Sequence, residues 1–325
     1  MLSFKTGQKI AKIIYNKPEV TKQQSKQIKQ QKPKTEFIYI NDTVSDEPLI
    51  NSKIKDELLP RSFYISTKLS PHQLILLKKA IRDDIIPTSE ELKIFYEQSH
   101  EFLKEILKKN IEFAKSEASV FPVPKSEGWQ GHMYITGASG SGKSTFIAQY
   151  LDVCRLMFKE CNIYVFSMVQ DDPAYKHLDP VYIKIDESIL VKPLQCAEFA
   201  GTSQTPSFAI FDDIEVISNK KIAQSMETFQ NLVLETGRHC FISSINVSHV
   251  MLNGNRSKKC INESDKIVFF PNSNFNQISN YLRRYLGLMK NDITLVKDIG
   301  KTSRWVMISR PYPMYLIHQH GVKII

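Results

Sequence analysis

The chain reads Gly137-Ala138-Ser139-Gly140-Ser141-Gly142-Lys143-Ser144-Thr145 between a short apolar stretch and a helical pattern. Glycines in such a loop permit backbone angles and close approaches that a Cβ would block, so successive N–H groups can point at one anion. Lys143 adds a positive charge for the β- and γ-phosphates of a nucleotide, and the Ser144 hydroxyl is placed to ligate Mg²⁺. This stretch therefore predicts a phosphate-binding loop, with ATP and Mg²⁺ as cofactors.

The segments on both sides of the loop have the order that such a loop requires. His132–Thr136 alternates in the manner of a short strand, and Thr145–Leu151 has the spacing of a helix. A phosphate-binding loop of this type lies between a strand and a helix. The stretch therefore indicates an α/β fold as well as a ligand.

Composition indicates a globular protein of one or two domains. The chain has 325 residues, 42% of them hydrophobic, which is enough for a sizeable core. No apolar run approaches the ~18 residues of a membrane span, and the N-terminus lacks the pattern of a signal peptide. Five scattered cysteines favour reduced thiols over disulfides or a metal site. We expect an intracellular protein without a membrane span.

The net charge of +9 is concentrated at the N-terminus. Residues 1–34 hold nine lysines and one acidic residue, Glu19, which leaves 34 of the 43 basic and 33 of the 34 acidic residues for the rest. With its Gln-rich stretch Thr21–Gln31, this segment predicts a basic disordered tail over residues 1–35. The tail is either an electrostatic tether to DNA or another acidic partner, or a solvated segment that keeps the protein soluble.

Residues 36–127 predict a linker followed by a helical N-terminal region. A strand is expected at Phe37–Ile40. One helix is expected to begin at Ser70-Pro71, where Gln73 completes a capping box, and a second, long helix after Ser89, with apolar positions from Leu92 to Phe113.

Residues 128–325 predict the nucleotide-binding domain. Apolar strand candidates alternate with helical stretches after the loop, which favours a mostly parallel sheet with ligands at the carboxyl ends of its strands. These candidates are Ile163–Phe166, Val181–Ile185, Phe208–Phe211, Cys240–Ile245 and Ile267–Phe270. Short antiparallel strands are expected at Arg304–Ser309, Met314–His318 and Val322–Ile325. The predicted fold is a P-loop NTPase of the RecA/ASCE-like type, with an N-terminal helical appendage and a C-terminal antiparallel β extension.

Two carboxylates follow a buried strand candidate and point to hydrolysis. Phe208–Phe211 precedes Asp212 and Asp213, with Asp212 69 residues after Lys143. Asp212 can hold the hydration shell of Mg²⁺ opposite Ser144, and Asp213 can orient the attacking water. The two strand candidates in between suggest that the loop strand and the carboxylate strand are not neighbours, as in motor ATPases. Many such ATPases have Glu at the position of Asp213, so Glu215 is a second candidate for the base.

Polar residues around the strand at Cys240–Ile245 are further candidates. Arg238 could act as an arginine finger across a subunit interface or form a surface salt bridge, and Arg256 is the alternative finger. Asn246 and His249 both have the position of a γ-phosphate sensor. Each could equally be a turn residue bonded to the backbone.

The region from Gly131 to Ile325 resembles the genome-packaging ATPases of nucleocytoplasmic large DNA viruses and their virophage relatives, in the FtsK/HerA superfamily. The ordered set of motifs carries the resemblance better than any single motif. It comprises Gly137–Ser144, Ile210–Asp213, Glu235–His239, Ser248-His249, Ile261–Glu263, Phe269–Pro271, Tyr281–Gly287 and Ser303–Trp305. Two departures are Asp213 in place of Glu and the lack of a clear equivalent for the superfamily's strand-end Gln.

The resemblance implies an ATP-driven homo-oligomeric ring, a hexamer or pentamer, that moves double-stranded DNA into a capsid without reading its sequence. Lys258 and Lys259 could grip the DNA backbone or belong to the ordinary solvated surface. Partners would include capsid or portal-like vertex components, and the location would be the viral factory in the host cytoplasm or the virion. The alternatives are a helicase or AAA+-type replication ATPase, and a non-catalytic nucleotide-dependent assembly factor.

Overall fold

The computed structural model describes residues 1–4, 7–15, 36–40, 70–83, 85–90, 92–97, 109–115, 117–158, 160–169, 171–252 and 254–325. The chain divides into two compact units. The first comprises Met1–Gln8, Ile13–Val120 and His320–Ile324, and the second comprises Lys9–Lys12, Phe121–Gln319 and Ile325.

The first unit contains most of a four-stranded sheet, of which Lys9–Lys12 and the end of the last strand are assigned to the second unit. Its elements are β1 (Leu2–Ser3), β2 (Gln8–Tyr15), β3 (Glu36–Ile40), α1 (Pro71–Asp83), β4 (Asn110–Glu112), β5 (Ala118–Pro122) and, near the C-terminus, β14 (Gly321–Ile324). The spatial order of the sheet is β1-β3-β2-β5, and β1 is antiparallel to β3. The strand at 36–40 was predicted from the sequence.

Part of the predicted basic tail is folded. Ile10, Ala11 and Ile13 in β2 are at most 2% exposed, so this strand buries enough apolar surface to hold the N-terminus in a sheet. The prediction of disorder is therefore wrong for residues 2–3 and 8–15. Residues 16–35 lie outside the described residues.

The two predicted helices of the first unit have different outcomes. α1 begins as expected, because the Gln73 side chain accepts from the Ser70 N–H at 3.0 Å and the Gln73 N–H donates to Ser70 Oγ at 3.3 Å. Residues 92–97 are helical, and 98–108 lie outside the described residues. The extension of this helix to Phe113 is wrong: Ile111 and Phe113 are two residues apart, the period of a strand, and β4 pairs antiparallel with β14.

The second unit is an α/β domain. Its helices and strands are β6 (Met133–Thr136), α2 (Lys143–Met157), β7 (Asn162–Ser167), β8 (Val181–Ile183), α3 (Ser188–Val191), β9 (Ser207–Asp212), α4 (Lys220–Thr236), β10 (Ile242–Ser248), α5 (Gly254–Glu263), β11 (Lys266–Phe269), α6 (Phe275–Arg284), α7 (Lys290–Ile299), β12 (Val306–Ser309) and β13 (Tyr315–His318).

The sheet of this unit runs β13-β12-β11-β6-β10-β9-β7-β8. From β11 to β8 every neighbouring pair is parallel, and β12 and β13 continue the sheet antiparallel. This confirms the predicted fold class, a mostly parallel sheet with an antiparallel C-terminal extension. β10 lies between the loop strand β6 and the carboxylate strand β9, so these two strands are not neighbours, as the spacing predicted.

Helices cover the sheet through apolar clusters. One cluster packs α4 on β7, β9 and β10, with Phe166, Phe211, Phe229 and Met226 at most 3% exposed. The rings of Phe166 and Phe211 are stacked at 5.0 Å with an interplanar angle of 17°. A second cluster joins α5, α6 and α7 to β6, β11 and β12. This packing holds the strands that carry the polar residues of the sheet's carboxyl edge.

All five cysteines are free thiols, as expected, and Cys154, Cys196 and Cys260 are buried. Within the described ranges, the structure contains no helix that is both long enough and apolar enough to span a membrane.

Phe166→Ala should lower the free energy of unfolding by about 3–5 kcal/mol, because it leaves a cavity among fully buried rings. Leu156→Ala is the control: Leu156 is 74% exposed on α2, and its loss should change stability by less than about 0.5 kcal/mol. Urea unfolding of both variants measures the difference. Equal midpoints would contradict the packing described for this cluster.

Candidate nucleotide site

A cavity of about 430 Å³ lies at the carboxyl ends of the parallel strands. It brings together parts of the chain that are far apart in sequence: the glycine-rich loop, the end of β9 and the residues after β10. The lining residues include Ser139, Gly140, Gly142, Lys143, Ser144, Thr145, Asp212, Asp213 and His249, all of which the sequence analysis named.

The loop 137–144 has the geometry of a phosphate cradle. Gly140 and Gly142 have φ angles of +72° and +107°, which side chains rarely adopt. A Cβ on Gly137 would lie 2.6 Å from Ser141 Oγ, so the loop closes tightly at this point. Ser141 Oγ itself is buried and has no hydrogen-bond partner among the described residues. An orphaned hydroxyl inside this cradle fits a phosphate oxygen as its partner.

Lys143 is buried at the floor of the cavity. Its ammonium donates to the carbonyl oxygens of Gly137 at 2.8 Å and Ala138 at 3.2 Å, and Nζ lies 3.4 Å from Nδ1 of His249. Burial lowers the pKa of Lys143, and the nearby Asp212 and Asp213 oppose that change. The loop carbonyls thus hold the ammonium close to where phosphates would bind.

Asp212 ends β9 and is largely buried. Its pKa is raised from 3.8 to about 6, first by burial and then by the charge of Asp213, while Lys143 and His249 act in the other direction. The charged form of such a buried carboxylate is stabilised by a nearby cation. The site therefore suits a metal ion or another positive charge beside Asp212.

Asp213 lines the cavity, and its backbone is left-handed, with φ +52°. Aspartate tolerates this conformation better than most residues do. Nε2 of His249 lies 2.8 Å from its Oδ1. Because the Lys143 ammonium can only donate, Nδ1 of His249 accepts, and Nε2 carries the proton that is donated to Asp213. His249 therefore links the loop lysine to the second carboxylate.

The residues around Ser144 fit Mg²⁺. No cluster of three or more His, Cys, Asp or Glu side chains suited to a metal occurs in the part of the chain that the structure describes. Mg²⁺ in phosphate sites takes one or two protein ligands, with phosphates and water for the rest. Ser144 and Asp212 both line the cavity and can supply that protein share.

Asn246 does not reach the cavity. It is 2% exposed inside β10, where its Oδ1 accepts from Gln230 of α4 at 2.8 Å and its Nδ2 donates to Ser244 Oγ at 2.9 Å. Of the two candidate sensors, the structure brings only His249 to the site. Glu215, the second candidate base, accepts from Ser248 Oγ at 3.0 Å and is not among the lining residues.

The candidate arginine fingers also lie outside the cavity of their own chain. Arg238 is exposed in a 3₁₀ turn at Gly237–Cys240, just before β10, whereas the loop and the carboxylates follow their strands. It is therefore at the opposite edge of the sheet, roughly 20 Å away along a seven-residue strand. The side chain of Arg256 lies outside the described residues. Lys259, one of the possible DNA contacts, pairs with Glu235 at 2.7 Å.

Asp172, Tyr175 and Arg304 are among the lining residues to which the sequence analysis assigned no role. Arg304 Nε donates to the Ser141 carbonyl at 2.8 Å, and Nη2 donates to that of Gly140 at 3.3 Å. Asp172 comes shortly after β7, and Asp212 is the last residue of β9. The pattern of an acidic residue close to the end of a strand could therefore have identified Asp172 as a candidate. Arg304 belongs to the Ser303–Trp305 motif, which the sequence analysis used only for the family resemblance and not to assign a role to any residue.

The fold and this cavity define a P-loop protein of the NTPase fold class. The defining features are a mostly parallel sheet, a glycine-rich loop at the N-terminus of α2, and a carboxylate at the end of β9, which β10 separates from the loop strand β6. No protein-family model matches the sequence. The chain is 36% identical to the uncharacterized protein V3 of Sputnik virophage over 194 residues, which cover 59% of this chain and 76% of V3. The chain therefore belongs to the family of the virophage protein V3.

Solved structures of low sequence identity are also similar. B204, the DNA-packaging ATPase from Sulfolobus Turreted Icosahedral Virus, is 14% identical, with a TM-score of 0.40, and the match covers 57% of this chain and 96% of B204. The cytoplasmic domain of the type VII secretion ATPase EccC of Thermomonospora curvata is 13% identical, with a TM-score of 0.42. That match covers 66% of this chain and 28% of the EccC chain.

Asp212→Asn should make the nucleotide-free protein more stable at pH 8 and not at pH 4. The raised pKa of Asp212 means that the folded state holds a proton that the unfolded state has lost, so stability falls as pH rises from about 4 to about 6. The variant should gain up to about 3 kcal/mol above that window. Urea unfolding in EDTA across pH 4–8 measures this.

Glu263→Gln, at an exposed carboxylate that ends α5, is the control and should leave the pH dependence unchanged. If Asp212→Asn gave the same pH profile as the wild type, Asp212 would not be the buried carboxylate described here.

Proposed function

We propose that this protein is an ATP-hydrolysing motor that moves double-stranded DNA, and that it packages a viral genome into a capsid. The observation that carries the ATPase part is the meeting of Lys143, Ser144, Asp212, Asp213 and His249 around one cavity. The ordered motifs of viral packaging ATPases in this sequence, together with membership in a virophage protein family, support the packaging part.

In this proposal each residue of the cavity has a distinct task. The backbone N–H groups of the loop bind phosphate oxygens, and Lys143 leaves its carbonyl partners for the β- and γ-phosphates. Ser144 and Asp212 hold Mg²⁺, which when bound neutralises charge on the phosphates. Asp213 orients the attacking water with the carboxylate oxygen that does not bond His249. His249 keeps that carboxylate turned toward the cavity.

The arginine contribution is divided between two residues. Arg304 already contacts the loop of its own subunit. The residues on either side of it are held in place, because Ser303 Oγ donates to the Trp305 carbonyl and the buried Trp305 ring packs on Phe121 and Phe146. Arg238 is exposed at the far edge of the sheet and can serve only a neighbouring subunit. The proposed motor is therefore an oligomeric ring in which Arg238 completes the next subunit's site.

Lys143→Ala should abolish DNA-stimulated ATP hydrolysis, because it removes the only lysine that lines the cavity in the described residues. Asp213→Asn should still bind ATP and Mg²⁺ but hydrolyse at least ~100-fold more slowly, since water is no longer oriented. The exposed Lys290→Ala should match the wild type. Phosphate release with and without duplex DNA, beside nucleotide-binding titrations, measures all four proteins.

The outcomes separate the alternatives. If the oligomeric wild type bound ATP but did not hydrolyse it even with DNA present, only the third hypothesis, a non-catalytic nucleotide-dependent assembly factor, would remain. Strand separation of a forked duplex would favour a helicase, because a packaging motor moves on duplex DNA without unwinding it.

Mixing inactive variants tests whether Arg304 acts within its own subunit and Arg238 in the site of a neighbouring subunit. Lys143→Ala and Arg238→Ala proteins should each be inactive alone and regain part of the activity when mixed, because an intact Arg238 then faces an intact loop. Lys143→Ala mixed with Arg304→Ala should regain less, since Arg304 acts within its own subunit. Equal recovery in both mixtures would contradict the assignment of Arg238 in trans and Arg304 in cis.

A further inference from the structure

Tyr175 is a buried residue of the nucleotide cavity, and its hydroxyl has no role in the site as described so far. The side chain is 0% exposed and lines the cavity, yet its hydroxyl has no partner with hydrogen-bond geometry among the described residues. A buried polar group without a partner costs free energy, so such groups in folded proteins are usually satisfied by a ligand, a water or an ion. The hydroxyl therefore marks a contact that is made when the cavity is filled.

The segment that carries Tyr175 is fastened to the helix that follows the phosphate loop. The Tyr175 N–H donates to the Asp172 carbonyl at 3.0 Å, and the Leu178 N–H donates to the Tyr175 carbonyl at 2.8 Å. Arg155 of α2 donates to the Leu178 carbonyl, and His177 lies 3.1 Å from Asp152 of the same helix. The tyrosine is thus held in place relative to the loop.

The surroundings of the hydroxyl limit what it can do. Burial, and then the charge of Asp212, raise the pKa of Tyr175 well above 10, so the hydroxyl keeps its proton and can donate. A hydrogen-bonding interaction with the Ser144 side chain acts on that pKa in the other direction, but its geometry falls short of a full hydrogen bond. The hydroxyl is therefore a donor beside the two residues assigned to Mg²⁺.

We propose that Tyr175 is a positioning residue that donates its O–H to the Asp212 carboxylate when nucleotide and Mg²⁺ bind, and so holds Asp212 opposite Ser144. This inference rests on the proposed nucleotide site and extends it to a residue on the connection between β7 and β8. The Asp212 carboxylate has two oxygens, so one can hold Mg²⁺ while the other accepts from the tyrosine hydroxyl.

Tyr175→Phe tests the inference, because it removes only the hydroxyl. With N-methylanthraniloyl-ATP as the probe, the variant should need about tenfold more Mg²⁺ for half-maximal binding, as expected for loss of one hydrogen bond to a charged group. Its affinity for the probe in EDTA should stay within about twofold of the wild type, since the phosphate loop is intact.

Tyr150→Phe is the matched control. Its hydroxyl is also fully buried without a partner among the described residues, but Tyr150 is not among the residues that line the cavity. The inference is overturned if Tyr175→Phe shows the Mg²⁺ dependence of Tyr150→Phe, or if it weakens binding equally in EDTA. The readout does not involve hydrolysis: a wild type without ATPase activity would refute the proposed motor, while a shifted Mg²⁺ dependence would still support Tyr175.

Discussion

The parallel register of three strands is the constraint on which the site depends. β10 pairs with β6 on one side, with Ser248 opposite Thr136, and with β9 on the other, with Asn246 opposite Phe211. Parallel strands end at the same edge of a sheet, so the residues that follow them meet there. The phosphate loop after β6, the carboxylates at the end of β9 and His249 after β10 therefore share one cavity. No local sequence preference would bring them together without this pairing.

This edge places opposite charges in a poorly solvated space. Lys143 and Asp212 are both shifted toward their neutral forms by burial, and each is partly held in its charged form by the other. Such an arrangement costs stability in the absence of a ligand and becomes favourable when phosphates and a cation enter. The left-handed backbone of Asp213 also costs stability, and so do the buried hydroxyls of Ser141 and Tyr175, which have no partner with hydrogen-bond geometry among the described residues. These features are all of a kind that a bound nucleotide and cation would stabilise.

The sequence predicted the parts of the fold and site that are encoded locally. The loop, the apolar strands and the acids after Phe211 are continuous patterns. The structure also confirms the inference from their spacing that the loop strand and the carboxylate strand are not neighbours. Asn246 was misjudged because the strand was expected to end at Ile245, whereas β10 continues to Ser248 and places Asn246 against Gln230 of α4. The prediction of a disordered tail rested on the many lysines of the N-terminus and gave too little weight to the apolar residues that form β2. Arg304 and Tyr175 could not be assigned from the sequence, because their roles come from distant segments that only folding brings to the loop.

The most direct measurement of the central claim is a structure of this chain with Mg²⁺ and a non-hydrolysable ATP analogue. The account predicts the triphosphate in the loop 137–144, with Lys143 moved from the Gly137 and Ala138 carbonyls to the phosphates, and the metal between Ser144 and Asp212. It also predicts that His249 stays bonded to Asp213. A nucleotide bound elsewhere, or a metal without Ser144 and Asp212 beside it, would contradict the account.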